Sequence, residues 1–313
     1  MSTAAAAAEG REDLAPAPPP LEPGANRKKL TPYFLLLPGF LVLVVFFVLP
    51  LLTLLNSSLT SGAPQQGYDF TWAFENYWTV WVEYWPQFLR SFVYAGTATI
   101  LCILLSYPLA YTIAFKVSPK MRPFLLVLVI APFLTSFLIR TLAWTTILAD
   151  EGPVVSVMRS IGFLWVTDLI GLTSDDRVLA TPLAVILGLA YNFLPFMTLP
   201  IYASLEKQDR TLVPAAGDLY ATSWASFWKI TWPLSLPGVV SGTLLTFIPA
   251  AGDYVNATFL GSVQQSMAGN VIESLFLRVR DYNHAAAMSI SLTVAIVLLV
   301  IYYVRRAGTD DLV

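Results

Sequence analysis

Two ionisable residues stand inside otherwise apolar stretches of this chain, Arg140 in "APFLTSFLIRTLAW" and Asp253 in "IPAAGDYVNATFLG". A charge among such neighbours costs roughly 2.5–3.5 kcal/mol on membrane-insertion scales, so it is retained for a counter-charge, a backbone partner or a solute. The chemistry open to the pair is recognition of charge in a low-dielectric path. Asp253 follows Pro249 and Gly252, which can open a helical backbone, and stands beside Tyr254. A carboxylate there can replace part of the hydration of an ammonium group. The competing reading is an ion pair with Arg140, because each residue lies 17 positions beyond the start of its run, Pro123 or Leu236, about 25 Å at 1.5 Å per residue. Arg140 alone reads as a snorkelling or carbonyl-capping group. Trp144, one turn further on, is a candidate cation–π wall worth about 1–2 kcal/mol when desolvated, and Tyr107 beside Pro108 is a second. Plain interhelical packing is the favoured reading of both aromatics.

Other chemistries lack their residues. There is one cysteine, Cys102, inside an apolar run, and one histidine, His284, so neither a disulfide nor a metal cluster is expected. No phosphate-binding loop G-x-x-x-x-G-K-[ST], no G-x-G-x-x-G after a strand, no H-E-x-x-H and no serine elbow occurs. The chain is expected not to be an enzyme and to hold no cofactor. With a net charge of −2, no nucleic-acid partner is expected either.

The elements that must position Arg140 and Asp253 are apolar runs. Of 313 residues 56% are hydrophobic and 12% charged, and the mean hydropathy is +0.66, which places the chain in lipid. Six runs reach the roughly 20 residues that cross about 30 Å of hydrocarbon: 33–55, 91–115, 124–148, 181–205, 236–260 and 285–304. The expected fold is an all-α integral membrane protein with six transmembrane helices. Twelve Lys and Arg fall on the side of the N-terminus and five on the other, so both termini are read as cytoplasmic in a multi-pass plasma (inner) membrane protein. The opposite side carries an excess of carboxylates, a field that favours cations or a face that docks another protein.

Residues 1–30, rich in Ala and Pro, read as a disordered cytoplasmic tail, and 307–313 as a short second one. The basic cluster Arg27-Lys28-Lys29 before the first run resembles a signal peptide, but about 23 apolar residues make it an uncleaved anchor. Between the first two runs, residues 56–90 are dense in Tyr, Trp and Phe, an interfacial belt or a docking surface. "WVTDLIGL" reads as a short interfacial helix. Pro108, Pro132, Pro195, Pro200 and Pro249 lie within spans, where each frees carbonyls that neighbours or a cavity must satisfy, a pattern that suits a transport path better than passive anchors.

The loop 206–232 is amphipathic twice. Leu212, Ala215, Ala216 and Leu219 share one helical face, and Trp224, Phe227, Trp228 and Thr231 share a second, with Thr211 and Thr222 as expected N-caps. Ala215, Ala216 and Gly217 admit close approach, and Asp218 offers a carboxylate at the flank. Helices this short need packing to persist, so the loop reads as a knob for a groove on a soluble partner or as a lid on its own bundle. Pro233 and Pro237 stiffen its return to the fifth run.

The succession of small residues, Asp-Leu, an aromatic helix and "PLSLPG" resembles the cytoplasmic EAA loop of permease subunits of ATP-binding-cassette importers, with Pro214 where the family has Glu and Tyr220 where it has Gly. The substitution at 214 removes a capping or pairing carboxylate, and Tyr220 puts the tight turn in question. Together with "GPV" (152–154), "AGNVIESLFLRVRDYNHAAAMSISLT" (268–293) and the two stretches quoted first, the likeness runs over about 33–305. It resembles the first permease subunit of spermidine/putrescine importers. That resemblance implies a type I importer permease domain, 31–306, working by alternating access. The expected partners are membrane lipid, a second homologous permease, two ATP-binding subunits that hold ATP and Mg, and an extracytoplasmic solute-binding protein. A polyamine is the implied solute, with iron, phosphonate, sulfate or sugar as alternatives. A secondary transporter would show an inverted repeat, which is not evident, and a membrane scaffold would not need the prolines and buried charges.

Overall fold

The computed structural model describes residues 31–63, 67–169, 171–173 and 177–307. The two expected tails, 1–30 and most of 307–313, lie outside the described residues. The chain divides into two units at Leu52 and Thr53. The first unit holds most of α1, which is helical from Thr31 through Ser58 with a π turn at Val44–Val48.

In the second unit, α1 ends in a short antiparallel hairpin, β1 (Thr60–Ala63) and β2 (Gly67–Phe70), with Thr60 opposite Phe70. Helix α2 follows over Glu75–Lys116, 42 residues, or about 63 Å. It therefore begins 16 residues before the expected second span (91–115). Charged Glu83 and Arg90 marked that region as loop, yet they ride on a helix that overshoots the apolar layer, and the aromatic run Tyr77 to Trp85 lies on its outer turns. Helices α3 (Arg122–Leu134) and α4 (Phe137–Ile147) make a broken third span with a 91° bend. At the bend Pro132 sits in a 3-10 turn and Thr135 and Ser136 are extended. Short helices α5 (Pro153–Ser160) and α6 (Phe163–Leu169) follow, the latter at the expected interfacial segment.

Helix α7 (Pro182–Glu206) is the central post, and α8 (Leu212–Asp218) is the first knob helix. The second knob helix is not a separate piece. Ser223–Ala251 runs as one helix, α9, through a π turn at Phe227–Thr231. The fifth span was expected to continue to 260, but the helix stops at Ala251. Gly252, Asp253 and Tyr254 break it before α10 (Val255–Leu260). Pro249 and Gly252 supply the reason, one missing a donor and one lacking a side chain. Helix α11 (Ala268–Ser274), extended by a π turn at Leu275–Val279, leads to α12 (Tyr282–Ala307).

The core is the contact of α2 with α7 and α9, filled by Ala98, Cys102 and Ala110 against Leu189, Met197 and Ile201. Small residues set the spacing. A Cβ on Gly238 would lie 2.6 Å from the Pro200 carbonyl oxygen, so α7 and α9 touch through backbone there. A second cluster joins α2, α11 and α12 through Phe88, Leu275 and Met288. Two ends result: a knob end with α8 and the start of α9, and a far end with the breaks, α10 and α11.

Candidate functional site

The far end contains a buried polar layer drawn from three elements. Asp253 Oδ2 accepts the Asn256 backbone N–H at 2.8 Å and its side-chain Nδ2 at 3.2 Å. Asn192, midway along α7, donates Nδ2 to Asn256 Oδ1 at 3.0 Å and to Thr141 Oγ1 at 3.2 Å. Thr141, Asn192, Asn256 and Asp253 are all buried, and Asn192 Oδ1 has no partner within the chain. A carboxylate is thus linked through two amides to a hydroxyl on α4, with acceptor capacity to spare.

Asp253 and Arg140 do not pair. Ion pairs among the described residues include Arg177–Asp150, Arg278–Glu273 and His284–Asp281. The Arg140 guanidinium lies over the rings of Phe133 and Phe137, 5.4 and 5.7 Å from their centroids, and its Nε and Nη1 are buried without partners. Equal depth along two runs says nothing about rotation around each helix, and the bend turns Arg140 toward Phe133 instead. Trp144 packs edge-on to Tyr191, ring centroids 5.3 Å apart, beside Asn192. Tyr254 is exposed next to Asp253, and its carbonyl accepts Asn270 Nδ2 at 2.9 Å. Tyr107 is elsewhere. Its hydroxyl bonds Ser235 Oγ at 2.8 Å, and its ring meets Phe227 and Trp232 at 5.7 and 5.1 Å, all toward the knob end. Thr141, Asn192 and Asn256 went unread in the sequence, although an amide inside an apolar run is the same kind of signal as a charge.

At the knob end α8 closes in a Schellman arrangement. Tyr220 N–H donates to Gly217 O at 2.9 Å and Ala221 N–H to Ala216 O at 3.0 Å, with Tyr220 left-handed at φ 60°. The turn that Tyr220 put in question therefore forms. Pro214 sits at N3, where no intrahelical donor is lost. Thr211 does not cap. Asp209 instead closes a turn just ahead of α8, accepting Thr211 N–H at 2.9 Å and Oγ1–H at 2.8 Å, which lowers its carboxyl below the ordinary value. Thr222 caps the next helix, accepting Ala225 N–H at 3.2 Å. Leu212 and Trp224 are exposed, Leu219 is 82% exposed and Tyr220 98%. Ala215, Ala216, Gly217 and Asp218 complete α8 between Leu212 and Leu219, whereas Phe227 points back to Tyr107 and Tyr111. Arg210 Nη2 reaches the Ala114 carbonyl at 3.0 Å, tying the loop to the end of α2.

Residues 106–307, more than half of the chain, match the family described as binding-protein-dependent transport system inner membrane component. The chain belongs to that family. Similar relatives include the spermidine/putrescine transport system permease protein PotB of Haemophilus influenzae, 37% identical over 84% of this chain and 89% of the relative. Another is PotB of Escherichia coli K12, 36% identical over 86% and 94%. The inner membrane ABC transporter permease protein YdcU of the same organism is 29% identical over 71% and 72%. Among solved structures, a bacterial ABC transporter involved in import of the acidic polysaccharide alginate matches with a TM-score of 0.63 at 20% identity, covering 88% of this chain and 94% of that one. This inner-membrane transport component thus has the fold of an ABC importer permease, and its matched relatives are transport permeases rather than enzymes.

Proposed function

We propose that the chain is the translocating permease of a polyamine importer, with both termini cytoplasmic and the knob end inside. It works with a second homologous permease, two ATP-binding subunits that hold ATP and Mg, and an extracytoplasmic solute-binding protein. The observation that carries this is the single helix from Ser223 to Ala251, whose start forms half of the exposed knob and whose end opens at Asp253. A docked ATPase that draws the Leu219–Tyr220–Trp224 surface inward moves α9 as a rod, because a helix transmits displacement along its axis. Phe227 and Trp232, stacked on Tyr107, and Arg210 on Ala114 carry the same displacement to α2. At the other end the motion changes the Gly252–Tyr254 break and with it the environment of Asp253.

The solute reading rests on charge. Asp253 is the acidic residue of the buried far-end layer, and the neighbouring groups, Asn192, Asn256, Thr141 and the Trp144–Tyr191 pair, are neutral acceptors and π faces suited to ammonium. The likeness of the whole chain to PotB spermidine/putrescine permeases at 36–37% identity supports a polyamine over an anion. Docking of loaded receptor outside must favour the ATP-bound arrangement inside by the same coupling free energy.

The test is Asp253→Asn in the reconstituted importer. The amide keeps the shape and one acceptor for Asn256. Spermidine uptake is expected to fall about tenfold or more, the scale of one charged hydrogen bond, with ATPase assembly and receptor affinity unchanged. Undiminished uptake returns Asp253 to a helix-capping role.

A further inference from the structure

A cavity of about 550 Å3 opens at the far end between the outer turns of α2, the loop after α10, and α11 with its π turn. Its volume lies within the roughly 300–1,000 Å3 of small-molecule sites. One carboxylate, Glu273, stands in its wall, 23% exposed, and its counter-ion Arg278 is 69% exposed, with Nη2 3.6 Å from Oε2. The separation is beyond hydrogen-bond distance, and a pair this exposed contributes about 0–1 kcal/mol. Arg278 is therefore a replaceable partner for a carboxylate that stays in place.

The remaining lining suits a cation with methylene spacers. Val263 and Val279 present apolar surface, while Thr258 and Ser274 present hydroxyls. Arg90 does not compete, because it donates both to Gln264 O and, at 3.1 Å, to Ser266 O, which also fixes the loop over the cavity. Asn270 is wall and fastener at once. It lines the cavity and donates Nδ2 to Tyr254 O at 2.9 Å and to Thr258 Oγ1 at 2.7 Å. Next to it, a Cβ on Gly269 would lie 2.8 Å from Gly252 O and 2.9 Å from Asp253 O. The cavity and the break that bears Asp253 thus share one layer of α11.

We infer that this cavity is an outer subsite for one ammonium group of the solute, in which Glu273 receives the ammonium and Arg278 swings away. The inference rests on the cationic-solute reading above and adds a second carboxylate ahead of Asp253. Arg278 then acts as a resident stand-in that keeps the carboxylate satisfied between transport cycles.

The complete importer in vesicles, supplied with loaded binding protein, separates this from a structural ion pair by the sign of two substitutions. Glu273→Gln is expected to lower spermidine uptake about tenfold with receptor docking unchanged, and Glu273→Asp to restore part of it. Arg278→Gln, which removes the competing cation, is expected to keep uptake at or above that of the unaltered importer. A merely structural pair makes the Gln variants at 273 and 278 equally slow. That result, or full uptake by Glu273→Gln, overturns the subsite alone. An unaltered importer that carries no spermidine overturns the polyamine reading and the subsite with it.

Discussion

Tyr220→Gly sets two effects of opposite sign against each other at the tip of the knob. Tyr220 holds φ at 60°, a conformation that costs an L residue roughly 1–2 kcal/mol. Glycine removes that cost and gives back about 0.5–1 kcal/mol in backbone entropy, so the closing turn of α8 gains on the order of 0.5–1 kcal/mol. The lost ring acts the other way. The side chain is 98% exposed, and burying about 100 Å2 of its apolar surface against a partner at ~25 cal/mol/Å2 is worth about 2.5 kcal/mol. Interface costs reduce this, and Tyr anchors measured by truncation fall near 2 kcal/mol, about 30-fold in affinity. The expectation is slower amide exchange at Tyr220 and Ala221 in the purified permease, with ATPase binding weakened about 30-fold in a titration on the same preparation. Tyr220→Phe, which keeps the ring, is expected to bind like the parent. If Tyr220→Gly binds the ATPase as tightly as the parent, the ring is not an anchor and the turn geometry alone makes the dock.

Phe227→Ala removes the ring that joins the knob to Tyr107 and Tyr111. The ATPase is expected to assemble and hydrolyse ATP while uptake is lost, read as a raised ratio of phosphate released to solute imported. Gly238→Ala drives a Cβ to 2.6 Å from Pro200 O and is expected to cost about 1–3 kcal/mol in detergent unfolding. Gly96→Ala, where a Cβ meets nothing within 4 Å, is expected to stabilise by roughly 0.5–1 kcal/mol. Because the Thr211 bonds lower the Asp209 carboxyl, the Asp209–Thr211 turn is fully present above the ordinary carboxylate value and is lost only as pH falls through the lowered one. Amide exchange at Thr211 is therefore expected to be insensitive to protonation of Asp209 near neutrality, and to rise in Asp209→Ala at neutral pH but not below the lowered value.

Membrane class, number of spans and the knob were legible in the sequence because each depends on runs of one composition or one period. The positions of Pro249 and Gly252 also foretold an opening near Asp253. What was not legible is how elements end. Arg90 and Glu83 look like loop residues on any hydropathy profile, yet α2 runs through them because a helix longer than the bilayer simply stands out of it. The second knob helix reads as separate from the fifth span because Pro233 and Pro237 bracket the return to it, but the helix carries through from a π turn at Phe227–Thr231 into Trp232–Ala251. Thr211 stands at the N-cap position without capping, because its hydroxyl is drawn back to the charged Asp209 carboxylate two residues earlier and makes no bond to the helix.

The polar layer shows why contacts between distant runs escape a one-dimensional reading. Thr141 and Asn256 are 115 residues apart, and Asn192 joins them from a third helix. Both outer members lie just after a break, Thr141 after the Thr135–Ser136 bend and Asn256 after Gly252–Tyr254. That coincidence has a physical cause. A proline-broken helix leaves backbone groups without intrahelical partners, and in an apolar layer they must be met by side-chain polar groups nearby. Asp253 illustrates this, its carboxylate taking the Asn256 N–H that opens α10. Breaks therefore recruit polar residues, and polar residues at the same depth on facing helices then find one another. A solute path built in this way is stiff along α7, which is unbroken, and deformable at the two breaks, so displacement of α9 is expected to open the layer between Asn192 and Asn256. A cysteine pair at these two positions, cross-linked in the complete importer, is expected to block uptake and to leave ATPase assembly intact. Full uptake with the link in place would mean that the solute passes outside this layer.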